Sequence, residues 1–512
     1  MRNAQKHAPS TQLGHDARSI RLSTILSGGR RLDAESYLAI GNDLRGLFAT
    51  AKLETVDLGS LADVWQPSRL KGILVPKEHG VPFYTATQVF DTVPIVRKWL
   101  SIDRTPDLDQ RYIKPGWIVV TRSGMVGDAT VAHRPHEGVI ISDDLLRVVP
   151  RLGHDSFYIY AYLRTKYARQ LMRSTKYGNV VKHLETEHLQ CVPVPTSVMG
   201  PALRQKIIEK MAHCFVLRDE AADLAQAAYA EFSIAVGEAP LPQIETGFTV
   251  HAADVFPTAR RLDGKSFSPK AVAALSAVEG GRNRVDRLRE LASVFGVKRF
   301  KHIYTATGVA YVDSGELFVI NPEIQKFIPL AAKKDATDYY VKAGWLLMAC
   351  SGQLYGIIGD AVLATRWHEE KVLSNHILRI VPKSGMRPGY LLAALTHTDL
   401  GRPLVLRAAF GTSIPELDPI ELGAMPIVRL GRREDVIADK MERAAQLRGN
   451  ADDLENDATE LFESAISRAF GEIDEDAHDA TIAGACIRAL NSHPEELVVG
   501  EELEGELEKL LS

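Results

Sequence analysis

The chain lacks most of the features that would fix its class at sight. Cysteine is scarce: Cys191, Cys214, Cys350 and Cys486 lie far apart, with no CxxC pair. This argues against a disulfide framework or a structural zinc site and fits a reducing compartment. The histidines form no HExxH, and His183 and His188 of "HLETEH" are five apart, the wrong spacing for one helix face. There is no GxxxxGK[ST] loop, so a nucleotide-driven motor is not expected. The longest apolar runs, such as "GWLLMAC", fall far short of a membrane span. The opening "MRNAQKHAPSTQLGHD" is too polar for a secretory signal. The expectation is a cytoplasmic protein with no membrane attachment, no metal and no cofactor.

What is present is ordinary in bulk and uneven in detail. A chain of 512 residues with 45% apolar and 25% charged residues is globular and long enough for several domains. Its net charge of −4 conceals an acidic end: residues 471–512 hold twelve Asp/Glu against Arg488 and Lys509. The other 470 residues carry 53 acidic and 59 basic side chains, a balance of +6 that allows a polyanionic partner.

The chain also repeats itself. "RRLDAESY" from Arg30 returns as "RRLDGKSF" from Arg260, and "YTAT" at Tyr84 returns at Tyr304. "KPGWIVVTRSG" from Lys114 returns as "KAGWLLMACSG" from Lys342, and "LRVVP" from Leu146 as "LRIVP" from Leu378. "YIYAYL" from Tyr158 parallels "YLLAAL" from Tyr390, and the stretch from Tyr177 parallels that from Phe410. "EKMAHCFVLRDEAADL" from Glu209 parallels "DKMERAAQLRGNADDL" from Asp439. The offsets are 230, 220, 228, 232, 232, 233 and 230, a duplication of a whole domain rather than a short-period solenoid.

Each copy begins with β-rich runs bounded by Gly and Pro, such as "GWIVVT" and "LLRVVP", followed by helical stretches: a mixed α/β globule. Each ends in a long helix. The first, from Pro201 to Phe232, has no internal Pro or Gly. The second spans about Arg432 to Ala469, with Ile437, Met441, Ala444, Leu447, Ala451, Leu454, Ala458, Leu461 and Ala465 on one seam, as in a coiled coil. Gly449 interrupts it, at a cost of about 1 kcal/mol. The expected organisation is a first α/β domain over 1–196, a spacer helix over 197–236, a second domain over 237–430, a second helix over 431–469 and an acidic tail over 470–512. The two helices are expected to pair antiparallel. The alternative is that each packs only on its own globule.

The ordered blocks "Y-T-A-T…GW…SG…LR[VI]VP…[YF]G…[VM]P", twice, each closed by a long helix, resemble the specificity (S) subunit of type I restriction-modification systems. The resemblance runs from about Arg30 to Phe462. It implies two target recognition domains held apart by an antiparallel coiled coil and double-stranded DNA as ligand. It further implies two copies of a methyltransferase (modification) subunit as partners, with a motor and nuclease subunit as an optional third component. The target would be bipartite, with different half-sites for divergent copies.

Candidate DNA-binding residues come from loops beside the repeated blocks. "TRSGMVG" offers Arg122, Ser123 and Gly124, and its counterpart "CSGQLYG" offers Ser351, Gly352, Gln353 and Tyr355. Arg suits guanine and Gln suits adenine. "STKYGNVVKH" offers Lys176, Tyr177, Asn179 and Lys182, against Arg407, Thr412 and Ser413 in "RAAFGTSIPE". Arg97 and Lys98 flank Trp99 in a divergent segment. For each, the competing expectation is a tight turn or solvated face. The paired "RRLD" motifs are expected to be structural salt bridges or caps.

A methyltransferase would need a glycine-rich cofactor turn and an Asn/Asp-Pro-Pro-aromatic motif, and neither occurs. The chain is therefore read as a non-catalytic adaptor, with a stand-alone DNA-binding protein as the alternative.

Overall fold

The computed structural model describes residues 44–48, 51, 53–151, 155–174, 183–237, 247–255, 261–299, 302–305, 307–329, 337–411 and 413–474. Strands alternate with turns in each copy. The first contains β1 (Thr55–Asp57), β2 (Ala62–Trp65), β3 (Gly80–Tyr84), β4 (Lys98–Ser101), β5 (Ile118–Thr121), β6 (Ala129–Val131), β7 (Ile140–Ile141), β8 (Leu145–Pro150) and β9 (Pro193–Pro195). The second contains β10 (Val285–Arg287), β11 (Ala292–Phe295), β12 (Val309–Val312), β13 (Phe327–Ile328), β14 (Leu346–Ala349), β15 (Ala361–Leu363), β16 (Val372–Leu373) and β17 (Ile377–Pro382). It continues with β18 (Ala409–Phe410), β19 (Glu416–Leu417) and β20 (Pro426–Val428).

The duplication read from the sequence is a duplication of topology. Sheet order β2-β8-β5-β6 in the first copy is β11-β17-β14-β15 in the second, β4-β3-β7 is β13-β12-β16, and β1-β9 is β10-β20. Register agrees too: Val119 faces Arg147 as Leu347 faces Arg379. β5 and β14 are wholly buried, so their residues form uninterrupted apolar runs without polar alternation.

One block does not survive. In both copies the first strand of the three-stranded sheet pairs in parallel with a short strand, and there Tyr84 faces Ile141 as Val312 faces Leu373. Tyr84 therefore corresponds to Val312, not Tyr304. The bond from Val75 N–H to the Trp99 carbonyl at 3.0 Å recurs from Thr305 to Phe327 at 3.0 Å, which makes Tyr304 the counterpart of Leu74. The shared "YTAT" is a coincidence of letters, and its deviant offset of 220 disappears. What recurs is a small capping box: Thr85 N–H to Gln88 Oε1 at 3.2 Å and Asp313 N–H to Glu316 Oε2 at 3.0 Å.

Helices α1 (Asp155–Arg164) and α2 (Lys166–Ser174) correspond to α4 (Pro388–Thr396) and α5 (Arg402–Arg407), and between them in sequence lies the long α3 (Pro201–Val236). The second long helix is α6 (Arg432–Asp474). Pro201 opens α3, where its missing N–H leaves no bond unmade. α3 and α6 run antiparallel: Lys210 pairs with Asp457 at 2.8 Å, Arg218 with Asp452 at 2.7 Å, and Lys440 with Glu231 at 3.6 Å.

Each long helix completes both globular cores. Ile207, Met211 and Phe215 of α3 and Ala458, Phe462, Ile466 and Phe470 of α6 belong to the first domain's core. Ala221, Ala225, Ala228 and Phe232 of α3 join Ile437, Met441 and Ala444 of α6 in the second. The exchange is reciprocal. Phe462 packs 5.1 Å from the Tyr158 ring, and Phe232 packs 6.1 Å from Tyr390. Those tyrosines are themselves equivalent, donating to the Pro195 and Val428 carbonyls respectively. Burying one such aromatic is worth roughly 1.5–3 kcal/mol.

The apolar seam expected on α6 holds from Ile437 to Ala451 and again at Ala458 and Ala465, but shifts by one residue at Leu454 and Leu461. Leu454 and Leu461 are half-buried, while Glu455 and Phe462 are fully buried. A carboxylate can take a seam position because its bonds are all made. Glu455 accepts from Arg218 at 3.0 Å, from Asn321 at 2.5 Å, and from Tyr160, and it pairs with Arg164 at 3.5 Å. Burial alone would raise its pKa, but Arg164 and Arg218 hold it well below the usual carboxylate range. One side chain thus touches the other long helix and both domains.

The pseudo-twofold relation also fails where the first domain is tied to its helix. His133 Nδ1 lies 2.8 Å from Asp219 Oδ1 on α3, and Arg134 pairs with Asp223. In the second copy Thr365, Arg366 and His368 keep the same local turn, with Thr365 N–H bonded to His368 Nδ1 at 3.1 Å as His133 N–H bonds His136 at 3.2 Å. The α6 residue equivalent to Asp219 is Gly449, which has no side chain to accept a bond. A groove of about 1070 Å³ opens there, with Arg366, Trp367 and Gly449 in its wall.

Candidate nucleic-acid interface

The best-organised loops sit beyond β5 and β14, and their placement begins with a buried arginine. Arg147 on β8 donates to the carbonyls of Ser142 at 3.1 Å, Leu145 at 2.6 Å and Ile141 at 3.2 Å. Arg379 on β17 does the same to Ser374 at 2.9 Å, Leu373 at 3.0 Å and Ile377. These are the arginines of the two "LR[VI]VP" blocks. Burial lowers their pKa values to about 9 and about 10, respectively. Each guanidinium pins the turn that leads into its own strand, and that turn holds the loop. Asp144 accepts from Ser123, and His376 Nδ1 lies 2.9 Å from Ser351 Oγ.

A second segment then closes on each loop. Leu184 N–H donates to the Arg122 carbonyl at 2.9 Å, and Leu417 N–H to the Cys350 carbonyl at 2.7 Å. In the second copy the loop also bonds the β18–β19 hairpin, through Gly352 N–H to Pro415 O at 3.1 Å and Gln353 Nε2 to Ser413 O at 3.1 Å. Two stretches about sixty residues apart in sequence thus form one surface. Gly127 and Gly359 close the loops at φ of +86° and +80°, a conformation that glycine adopts without strain.

The expected residues fare differently. Arg122 is half-buried and paired with Glu185 at 2.6 Å, with Asp144 at 3.8 Å. Ser123 is held by Asp144, Ser351 by His376, and Gly352 by Pro415. Gly124, Gln353, Tyr355 and Ser413 are exposed. Arg407 is not a free cation: its Nε donates to the Ser266 carbonyl at 2.8 Å, and burial lowers its pKa. Lys176, Tyr177, Asn179, Lys182 and Thr412 lie outside the described residues. The second "RRLD" block is a cap, as expected. Arg261 bonds Asp263 at 2.8 Å, and Asp263 accepts from Ser266 N–H at 3.3 Å. The first copy of that motif lies outside the described residues.

Arg97 is the clearest departure. It is withdrawn from solvent and pairs with Asp360 of the other domain, which also holds Arg402. Thr92 N–H donates to Phe318 O at 2.6 Å, and Ile320 N–H to Phe90 O at 2.7 Å, so the two domains join through backbone as well. Beside this contact, burial raises the pKa of Asp91 to about 8. Lys98 remains nearer the surface, its ammonium 5.7 Å from the Tyr355 ring centroid across the domain boundary.

Sequence reasoning passed over Arg147, Arg379, Asp144 and His376. The signal available was the arginine kept between apolar residues in both strand blocks, since a charge there needs a buried set of acceptors.

No protein-family model matches the chain, and no curated protein matches it. Among solved structures it is similar to the type I restriction-modification system S subunit from M. genitalium, at 12% identity over 81% of this chain and 94% of that one, with a TM-score of 0.27. It is similar to the HsdS subunit from Thermoanaerobacter tengcongensis at 12% identity over 80% and 96%, with a TM-score of 0.24. The type IIG restriction endonuclease BpuSI is similar at 11% identity over 36% of this chain and 29% of that one, with a TM-score of 0.26.

Proposed function

We propose that the chain is the DNA-recognition subunit of a type I restriction-modification complex, or of a related phage-defence complex. It reads a bipartite target, one half-site per domain, and recruits two adenine-methyltransferase subunits that carry the chemistry. One observation supports this most: two domains of identical sheet order share two antiparallel helices, while the loops placed alike by Arg147 and Arg379 differ in every exposed side chain. A common scaffold with different tips suits two different half-sites. In this reading Gly124, Lys98, Gln353, Tyr355 and Ser413 face DNA, and Arg122 does so by exchanging Glu185 for phosphate. The helices set the gap, at about 1.5 Å per residue.

Methylome sequencing of a host with and without the chain tests the reading. The expected result is loss of one bipartite adenine mark and no other. An unchanged methylome would remove the reading.

A further inference from the structure

In each copy a short segment runs along the outer edge of the three-stranded sheet and leaves two apolar side chains in water. In the first, Ser101 N–H bonds Ile73 O and Val75 N–H bonds Trp99 O, both at 3.0 Å, yet Ile73 is 51% and Leu74 59% exposed. In the second, Thr305 takes the place of Val75, and Ile303 is 57% and Tyr304 49% exposed. Ile73, Leu74 and Ile303 are largely bare, while Tyr304 keeps one ring face on Tyr311 and His302; exposed apolar surface on a sheet edge is a liability that folds usually remove. Here the feature occurs twice, at equivalent positions.

Cations precede the pair in both copies, and the nearest carboxylates, Glu78 in the first and the Lys326-paired Asp313 in the second, lie on the far side of it in sequence. Arg69 and Lys71 are exposed before the first pair, and Lys298 and Arg299 before the second. Neither 66–77 nor 296–305 contains an acidic residue. An apolar ridge preceded by cations without carboxylates matches a surface with an anionic rim and an apolar, π-faced interior. Duplex DNA has that form, with phosphates outside and base edges and thymine methyls within. An apolar protein groove would match the ridge but not the cations.

Resting on the proposed function, we propose that these two edges are DNA-reading elements, one for each half-site. Arg69 and Lys71 in one copy, and Lys298 and Arg299 in the other, hold phosphates. Ile73–Leu74 and Ile303–Tyr304 press on base edges. The change from Leu74 to an aromatic Tyr304 contributes to the difference between half-sites.

The test uses the full chain co-expressed with its methyltransferase subunits. Two double variants, Ile303→Ala with Tyr304→Ala and Arg69→Ala with Lys71→Ala, are compared with wild type. The readouts are chromosomal adenine methylation and binding to a duplex carrying the wild-type mark. The first variant is expected to bind roughly tenfold or more weakly and to relax base preference in one half of the mark only. The second is expected to weaken binding to all sequences and to lower the slope of log affinity against log salt by about 2. Arg69, Lys71 and Ile303 lie at the surface, and Tyr304 packs on His302 and Tyr311, so Ile303→Ala alone serves as the control in which thermal stability should not change. A bipartite wild-type mark with both variants unchanged in affinity and base preference overturns the inference and leaves the function standing. Loss of methyltransferase co-purification with base preference intact also overturns it, making the edge a protein contact. If wild type leaves no chain-dependent mark and binds no duplex, both readings fall together.

Discussion

Arg218 on one long helix and Glu455 on the other form a fully buried ion pair at 3.0 Å, at the level where both domains reach the helices. Its partners Tyr160 and Arg164 come from the first domain and Asn321 from the second. Removing Arg218 leaves Glu455 with Arg164 as its one remaining cation and takes the partner from Asp452. Arg218→Met is expected to cost roughly 3–5 kcal/mol, and Arg218→Met with Glu455→Leu less than the sum of the two single changes, with Arg164 and Asp452 still short of a partner. A double-mutant cycle by denaturant unfolding checks it, and additive single effects would contradict the coupling.

Arg147 and Arg379 each donate to three strand-turn carbonyls in largely buried surroundings. Replacing either with methionine keeps apolar volume and removes the donors, at about 1–3 kcal/mol for each acceptor left unpaired. Arg147→Met should raise hydrogen exchange across β7 and β8, and Arg379→Met across β16 and β17. Exchange that rises equally in both domains would refute the local role.

His136 and His368 are equivalent, and burial pushes both down to about 4. His136 accepts the His133 N–H on Nδ1 at 3.2 Å, which leaves Nε2–H to donate to the Val89 carbonyl at 3.0 Å, so the neutral ring is the one bound. The unfolded chain takes up these protons near pH 6.5, as imidazole ordinarily does, and the folded chain does not. Stability should therefore fall as pH drops from about 6.5 towards 4, by on the order of 1 kcal/mol per unit for each ring. His136→Gln should flatten part of that slope in denaturant titrations at pH 7 and pH 5, and an unaltered slope would refute the assignment.

Gly449 lies inside α6 with open space where a Cβ would stand. Gly449→Ala should stabilise the chain by about 1 kcal/mol, and a lower melting temperature would show the position to be constrained in some other way.

The duplication, the two long helices and the buried strands were legible because each rests on a periodicity or an ordered recurrence. Three points were not. "YTAT" pointed to Tyr304 as the partner of Tyr84, whereas backbone pairing selects Val312, because four shared letters do not fix a register and hydrogen bonds do. The α6 seam slipped to Glu455 because counting apolar residues cannot foresee that Arg164, Arg218, Tyr160 and Asn321 converge from distant places. Arg97 read as a surface cation because its partner Asp360 lies 263 residues away. The Ser-Gly loops were identifiable from their repeated blocks, but not the turn residues Asp144 and His376 that hold them.

The backbone repeats, but its fastening does not. Asp219 rivets one arm to its rod through His133 and Asp223 does so through Arg134, while the bare backbone of Gly449 leaves the opposite arm without that rivet. That arm is fastened elsewhere: Arg387 pairs with Asp439 and Glu442 of α6, both at 2.7 Å. The two arms are thus tied to the helix pair by different residues at different levels: the first through His133 and Arg134 to α3, the second through Arg387 to α6.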